Sequence, residues 1–374
     1  MSAAIPELGT AFNVTNGYLG IVSSLFFISY AIGQLINGII GDRISPYKFL
    51  IFALAGTVLI NFFISFTNNF YIILICWTIN GYFQSMFWGP LMRVLSQTFK
   101  KEHNANISVG MSASMVTGYI LSWTVLGRVL VGAEWSLYFF IPAVCTFPII
   151  FLWLIVSFSK KSPSSVTERK PIKLKRLWNI IVEEKLYVFV FICVCLGLIK
   201  ESVSLWAPVI MVKALNFDLN SSFILLFFIP VANFGGILFA RLVMKKFGNN
   251  VNRTLLLSFA VIAAGSLLLL IFGYISSTAC MIMLAVISAM TFGCNSILLS
   301  FVPLSYAHKN IVSTLVGVFD FSSYVGAAIS AFVLGIILTG YSWRIIPVIW
   351  LSMAMIAVII NKYSYVKKSR KVAD

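Results

Sequence analysis

Residues 159–185, SKKSPSSVTERKPIKLKRLWNIIVEEK, are polar, basic and interrupted by Pro163 and Pro171. On either side the sequence is almost continuously apolar. The chain therefore divides into two apolar halves joined by a long charged hinge. Overall it is 60% hydrophobic and 10% charged, with a mean hydropathy of +0.98. A soluble domain carries roughly 25% charged residues, and no soluble fold of this size could bury so much apolar surface. This is the composition of a polytopic membrane protein.

Runs of about 20 apolar residues, the length needed to cross the hydrocarbon as a helix, recur along nearly the whole sequence. Strands of a membrane barrel would be about half as long and would alternate apolar with polar. Runs such as Leu255 to Ile275 and Ile345 to Ile360 are continuous. The expectation is an all-α protein with spans at about Gly17–Ile40, Phe49–Phe66, Tyr71–Leu95, Ile107–Val131 and Leu137–Phe158 before the hinge. After it come Leu186–Val212, Phe223–Met244, Thr254–Tyr274, Ala279–Phe301, Val312–Thr339 and Trp343–Tyr363. The expected organisation is an N-terminal bundle of five spans over 1–158, a cytoplasmic basic linker over 159–185, a C-terminal bundle of six spans over 186–363, and a cytoplasmic tail over 364–374. In two-bundle transporters of this outline the substrate site lies where the halves meet, and the halves rock about it.

The formal charge of +16 raises nucleic-acid binding as a reading, but the placement of the charge argues against it. All but four of the 27 Lys and Arg fall in or beside alternate loops, the central linker and the tail, the exceptions being Arg128, Lys200, Lys213 and Arg344. This is the positive-inside pattern of a multi-pass protein, with the basic loops in the cytoplasm. The partners expected are the bilayer, whose anionic headgroups suit the basic tail, and a small-molecule anion, with no nucleic acid and a monomeric chain. The six cysteines are scattered through apolar runs with no disulfide framework and no metal-ligand spacing. No Walker loop, HExxH helix or nucleophile elbow is present, so neither an enzyme nor an ATP-driven pump is expected, and no cofactor. No basic n-region with a short apolar core opens the chain, so no cleaved signal peptide is expected.

With the linker inside, five spans place Met1 outside. A sixth span upstream would make the halves equal, so the simplest explanation is that the sequence lacks a first helix. The alternative is a true eleven-span protein.

The turn after the first span, Gly38-Ile-Ile-Gly41-Asp42-Arg43-Ile-Ser45-Pro46-Tyr-Lys48, resembles the G-x-x-x-D-R-x-G-R-R/K loop of the major facilitator superfamily. There, glycines allow close helix approach, the Asp can accept hydrogen bonds and the Arg faces the cytoplasm. The stretch Gly81-Tyr-Phe83-Gln84-Ser-Met86-Phe-Trp88-Gly-Pro90-Leu-Met-Arg93 resembles the G-W-F-Q-G-M-G-W-P-P-x-x-R segment of the organophosphate:phosphate antiporters, the branch of glycerol-3-phosphate and hexose-phosphate transporters. Lys200-Glu201-Ser-Val-Ser-Leu-Trp206-Ala-Pro208 is similar to that branch's R-Y-G-x-x-x-W-S-P.

The resemblance implies a two-bundle major-facilitator fold and exchange of an organic phosphate for phosphate. It also implies two arginines, on the first and seventh helices, clamping the substrate phosphate, assisted by a Lys and a His. The first arginine has no counterpart here. The Lys position falls on Gln34, the His position on Ser114 and the seventh-helix Arg on Lys200. Only the last keeps its charge.

Lys200 lies about 14 residues into its span, roughly 20 Å deep at about 1.5 Å per residue, where charged groups usually face a cavity. It is the expected anion contact, with a structural ion pair to Glu201 as the competing reading. Gln34, Gln84, Trp88, Ser114 and Trp206 are the further substrate-contact candidates, against helix packing. Glu201 and Asp320 are candidates for coupling, Asp320 against a pair with a helix-end cation. Gly38, Gly41, Asp42, Arg43 and Arg93 form the candidate gating loop. The expected function is secondary transport of a small organic anion in a bacterial inner membrane. The alternatives are a transporter-like sensor of a phosphorylated metabolite and a non-transporting fragment.

Overall fold

The computed structural model describes residues 4–41, 44–126, 129–130, 132–159, 174–215, 228–273, 276–340 and 342–373. The first half contains α1 (Ile5–Ala11), α2 (Asn16–Gly41), α3 (Pro46–Ser65), α4 (Phe70–Gln84), α5 (Trp88–Thr98), α6 (Asn104–Ile120) and α7 (Leu137–Ser159). The last part of the linker forms α8 (Leu174–Glu183), and after it come α9 (Tyr187–Leu215), α10 (Phe228–Lys246), α11 (Val251–Phe272), α12 (Ser277–Ser296), α13 (Val312–Gly340) and α14 (Ile345–Ala373). Ten described helices are long and apolar enough to cross a membrane. The expected span Ile107–Val131 is not among them. It is helical over Asn104–Ile120 and continues as a π-turn over Leu121–Leu126.

Local sequence sets the helix ends. Pro46 starts α3, where its missing N–H costs nothing. The Asn69 side chain accepts from the Tyr71 and Ile72 amides, the Asn250 side chain from Arg253, and the Ser276 hydroxyl from Ala279, capping α4, α11 and α12. Asn310, in the left-handed region at φ 57°, turns the chain into α13. The span expected as one helix over Tyr71–Leu95 is two, α4 and α5. The break at residues 85–87 precedes Pro90, which has no amide to continue the ladder.

Two faces of each bundle divide the apolar residues. Phe52, Leu59 and Phe63 of α3, with Phe151, Leu152 and Ile155 of α7, point outward, as a hydrocarbon solvent requires and water would not tolerate. Inside, helix approach is set by small residues. The most extensive contact in the molecule joins the two halves through α2 and α13. It is closest where glycines meet. A Cβ added at Gly38 would lie 3.0 Å from Gly317 Cα, and one at Gly335 would lie 3.2 Å from Gly20 Cα.

The linker is not only a polar hinge. Its last part folds as amphipathic α8, which buries Leu177, Ile180 and Ile181 and leaves Trp178 and Val182 exposed. Charge counting hides this, because its apolar residues recur at helical spacing between the basic ones. Just beyond α8, Glu184 pairs with Lys309 at 2.6 Å and accepts a hydrogen bond from the Tyr306 hydroxyl at 3.4 Å. Burial, then the Glu184 carboxylate, pushes the Tyr306 phenol up to about 12, so it stays a donor. The expected tail over 364–374 continues α14 as helix to Ala373.

Gly317→Leu tests the α2–α13 contact, since its Cβ would lie 2.5 Å from the Gln34 carbonyl oxygen. We expect the monodisperse yield in detergent to fall by half or more. Gly235→Leu, where an added Cβ meets nothing within 4 Å, should leave it unchanged.

Candidate functional site

The helix α9 carries Lys200 and Glu201 into the centre of the bundle. Adjacent helical residues project about 100° apart, yet the flexible lysine stem closes the gap. Lys200 Nζ lies 2.8 Å from Glu201 Oε1. It also donates to Asn295 Oδ1 of α12 at 3.0 Å and sits 5.8 Å and 6.0 Å from the ring centres of Phe292 and Tyr324. Lys200 is 1% exposed and Glu201 5%. Two charges buried this deeply persist only when each is compensated. The carboxylate, the amide oxygen and the two ring faces together do that for the ammonium.

Beside the pair, a cavity of about 380 Å³ opens between the halves. Phe26 and Phe27 of α2, Gln84 of α4, Tyr119 of α6, Glu201 and Ser204 of α9 and Tyr324 of α13 line it. The contribution of α6 follows its register. Met115, Gly118, Tyr119 and the following Ser122 fall on one face at helical spacing. Aromatic contacts close the cavity's edges across the two halves. Tyr30 and Tyr324 meet with ring centres 4.1 Å apart, and Tyr119 and Phe292 at 5.7 Å. Among the described residues on the wall, Glu201 is the one with a formally charged side chain. Asp320, one helical turn before Tyr324, is buried within electrostatic reach of both Lys200 and Glu201. A second cavity of about 250 Å³ lies within the first half and shares Trp77, Gln84 and Ser122 with the first.

The sequence-derived candidates separate on this geometry. Lys200, Glu201, Asp320 and Gln84 come together at the cavity. The cavity wall bears Glu201, while Lys200 lies behind it. Trp88, expected to shape the pocket wall, instead donates its indole N–H to the Leu299 carbonyl at 3.3 Å, bridging the halves. Ser114 is not among the residues that line the cavity and returns its hydroxyl to the Met111 carbonyl at 2.6 Å. Trp206 is fully buried where α2 crosses α13, beside Gly20 and Gly335. Gln34 is buried on α2 at the same crossing, its carbonyl against Gly317. Sequence reasoning missed Asn295, Tyr119 and Tyr324. Tyr119 sits at i+4 from Met115 within a span assigned to the cavity-forming half, a signal that any packed aromatic in a chain that is 15% aromatic would also give.

At the end of the bundle that carries the basic turns, several contacts hold the halves together. The Ser108 hydroxyl donates to the Ser296 carbonyl at 2.8 Å, Asn104 to the Leu304 carbonyl at 3.3 Å, and Arg241 to Asn106 Oδ1 at 2.7 Å. In the expected gating loop, Asp42 and Arg43 lie outside the described residues. Arg93 is buried and donates to the carbonyls of Gly41 at 2.5 Å and Ile44 at 2.9 Å, tying α5 to the end of α2. Gly41 lets Pro90 and Ser313 approach this corner, and Gly38 abuts Gly317.

The protein-family model described as Major Facilitator Superfamily matches residues 1–331. A probable hexose phosphate transport protein of Chlamydia muridarum is 27% identical over 163 residues, which is 44% of this chain and 35% of that protein. The glycerol-3-phosphate transporter of Bacillus subtilis is 27% identical over 229 residues, 54% of this chain and 51% of that protein. The membrane sensor protein UhpC of Escherichia coli is 21% identical over 382 residues, 91% of this chain and 82% of that protein. The match to the hexose phosphate relative thus spans about a third of that protein's length.

The buried pair generates a stability prediction. Removing one partner leaves the other charge uncompensated, so Lys200→Met and Glu201→Gln should each destabilise by about 3–5 kcal/mol. The double variant should be more stable than the sum of the two, by thermal unfolding in detergent. Strict additivity would mean that the pair is not coupled.

Proposed function

The chain belongs to the major facilitator superfamily, and on that premise we propose that it is a secondary transporter carrying a small organic anion by alternating access. The observation that carries this reading is the buried Lys200 cation, held at the edge of a cavity that lies between the two halves. A cavity of about 380 Å³ fits a solute of metabolite size. Its aromatic walls and hydroxyl groups suit a polyol or sugar backbone, and Lys200 suits the anionic end. The names of the relatives, which concern hexose phosphates and glycerol 3-phosphate, support an organophosphate, with phosphate as the exchanged ion.

Lys200 offers a point charge where a guanidinium would offer a bidentate fork, so the site places less demand on phosphate geometry than an arginine clamp. Alternating access requires the closure at the basic end, including the Trp88–Leu299 and Ser108–Ser296 contacts, to break and reform as the halves rock. In this reading the protein is a transporter rather than an enzyme, monomeric, with linker and C-terminus cytoplasmic in a bacterial inner membrane, and its positive charge serves topology rather than nucleic acid.

One observation favours a second reading. The relative matched over most of this chain carries the name of a membrane sensor. A sensor would bind the anion without moving it.

Reconstitution separates the two. Proteoliposomes loaded with phosphate should take up labelled glycerol 3-phosphate or glucose 6-phosphate saturably. Lys200→Ala should abolish that uptake while the protein is still made. Unchanged kinetics in Lys200→Ala would remove the residue from the site, and saturable binding without flux would favour the sensor.

A further inference from the structure

Lys200 and Glu201 are arranged in an unexpected order for an anion site. An anion entering the cavity meets the Glu201 carboxylate first, because Lys200 Nζ lies behind it, held at 2.8 Å by Glu201 and at 3.0 Å by Asn295. The anion reaches the ammonium only by taking the carboxylate's place. We propose that substrate binding displaces Glu201 from Lys200 and that Glu201 then accepts one proton, so that the protein moves its anion together with a proton. This rests on the anion-transport reading above.

The groups around Glu201 leave few alternatives for neutralising it once displaced. Its own helix contributes Lys200, then occupied by the substrate. The neighbouring helix α13 presents Asp320 and Tyr324, α6 presents Tyr119 and α2 presents Tyr30. Asn295 of α12 and Gln84 of α4 are neutral, and Trp350 of α14 is engaged with the Ser202 hydroxyl. Lys200 is the one cation among these described residues. Once displaced, the carboxylate faces a bound anion and a second carboxylate with no free cation beside it among these described residues.

The balance of the step is simple. On one side of the membrane the Nζ–Oε1 pair breaks, an ion pair forms between Nζ and the substrate anion, and a proton from water of that compartment adds to the carboxylate. On the other side the anion leaves Nζ, the proton leaves Glu201, and the pair closes again. The Lys200–Glu201 unit is neutral when empty and neutral when loaded with a monoanion, so one singly charged anion and one proton cross without net charge transfer. Where phosphate is exchanged it takes the substrate's place at Nζ on the return, and where no anion returns the closed neutral pair crosses the barrier instead.

The test uses the full chain in proteoliposomes with labelled glycerol 3-phosphate. In the wild type, with no phosphate inside, an interior made one pH unit more alkaline should drive accumulation of the singly charged anion toward about tenfold, the limit for one proton per monoanion. Glu201→Gln mimics the protonated acid. It should lose this accumulation and show counterflow that no longer depends on Glu201 protonation. Glu201→Asp keeps a titratable group and should retain accumulation.

Wild-type uptake that ignores the pH gradient would overturn the proposal and leave the anion reading standing. A Glu201→Gln variant that responds to the gradient like the wild type would also overturn it. It would place the coupled proton on the substrate. If Glu201→Gln yields no folded protein, wild type and Glu201→Asp decide, and loss of accumulation in a folded Glu201→Asp overturns the proposal. Absence of wild-type uptake would overturn the anion reading and this inference with it.

Discussion

An ionised group in the interior of a membrane bundle has to be neutralised where it stands, because neither water nor counterions reach it in quantity. In this chain that constraint falls on Lys200. Its carboxylate partner is the next residue along the same helix, its amide acceptor comes from α12, and the ring faces come from α12 and α13. The compensation is therefore assembled almost entirely within the second half. That half presents to the cavity a pair that is charged in its parts and neutral as a whole.

The first half supplies the opposite wall. Phe26, Phe27 and Gln84 face the pair across the cavity, and α2 runs along α13 with glycines at both ends of the crossing. Small residues at a crossing permit close approach without interlocking side chains, so two helices can stay in contact while they tilt. Arg93 holds the corner between α5 and the end of α2 as one rigid piece through backbone carbonyls, the most dependable acceptors in a helical bundle. Polar contacts join the halves near the basic end, as at Ser108–Ser296, and also midway along α13, where the Ser24 hydroxyl donates to the Ala328 carbonyl at 3.1 Å.

How much of this was legible in the sequence depended on whether the signal was compositional or directional. The all-α, membrane-spanning character follows from hydropathy, and ten of the described helices are long and apolar enough to cross a membrane. Family resemblance drew attention to the glycine-rich turn and Arg93, and depth in a span to Lys200; the structure buries Arg93 and Lys200 at 4% and 1% exposure. Facing direction was much less legible. In a helix buried on most sides the apolar pattern no longer marks a single inner face. Thus Ser114 was expected inward where Met115 and Gly118 are, and Trp88 was expected on the wall where it is a bridge. The order of Lys200 behind Glu201 depends on the bend of a lysine stem, which no spacing rule specifies. The helix α8 was hidden because basic residues interrupt its apolar face, so its composition reads as a loop.

The central claim is that an anion is held at Lys200 in exchange for Glu201. A structure of the protein in lipid nanodiscs with glycerol 3-phosphate tests it most directly. The expected result is the phosphoryl group within ion-pair distance of Lys200 Nζ, with the Glu201 carboxylate turned away and the contact to Asn295 retained. A bound ligand elsewhere in the cavity, with the 2.8 Å pair between Lys200 and Glu201 still closed, would contradict it.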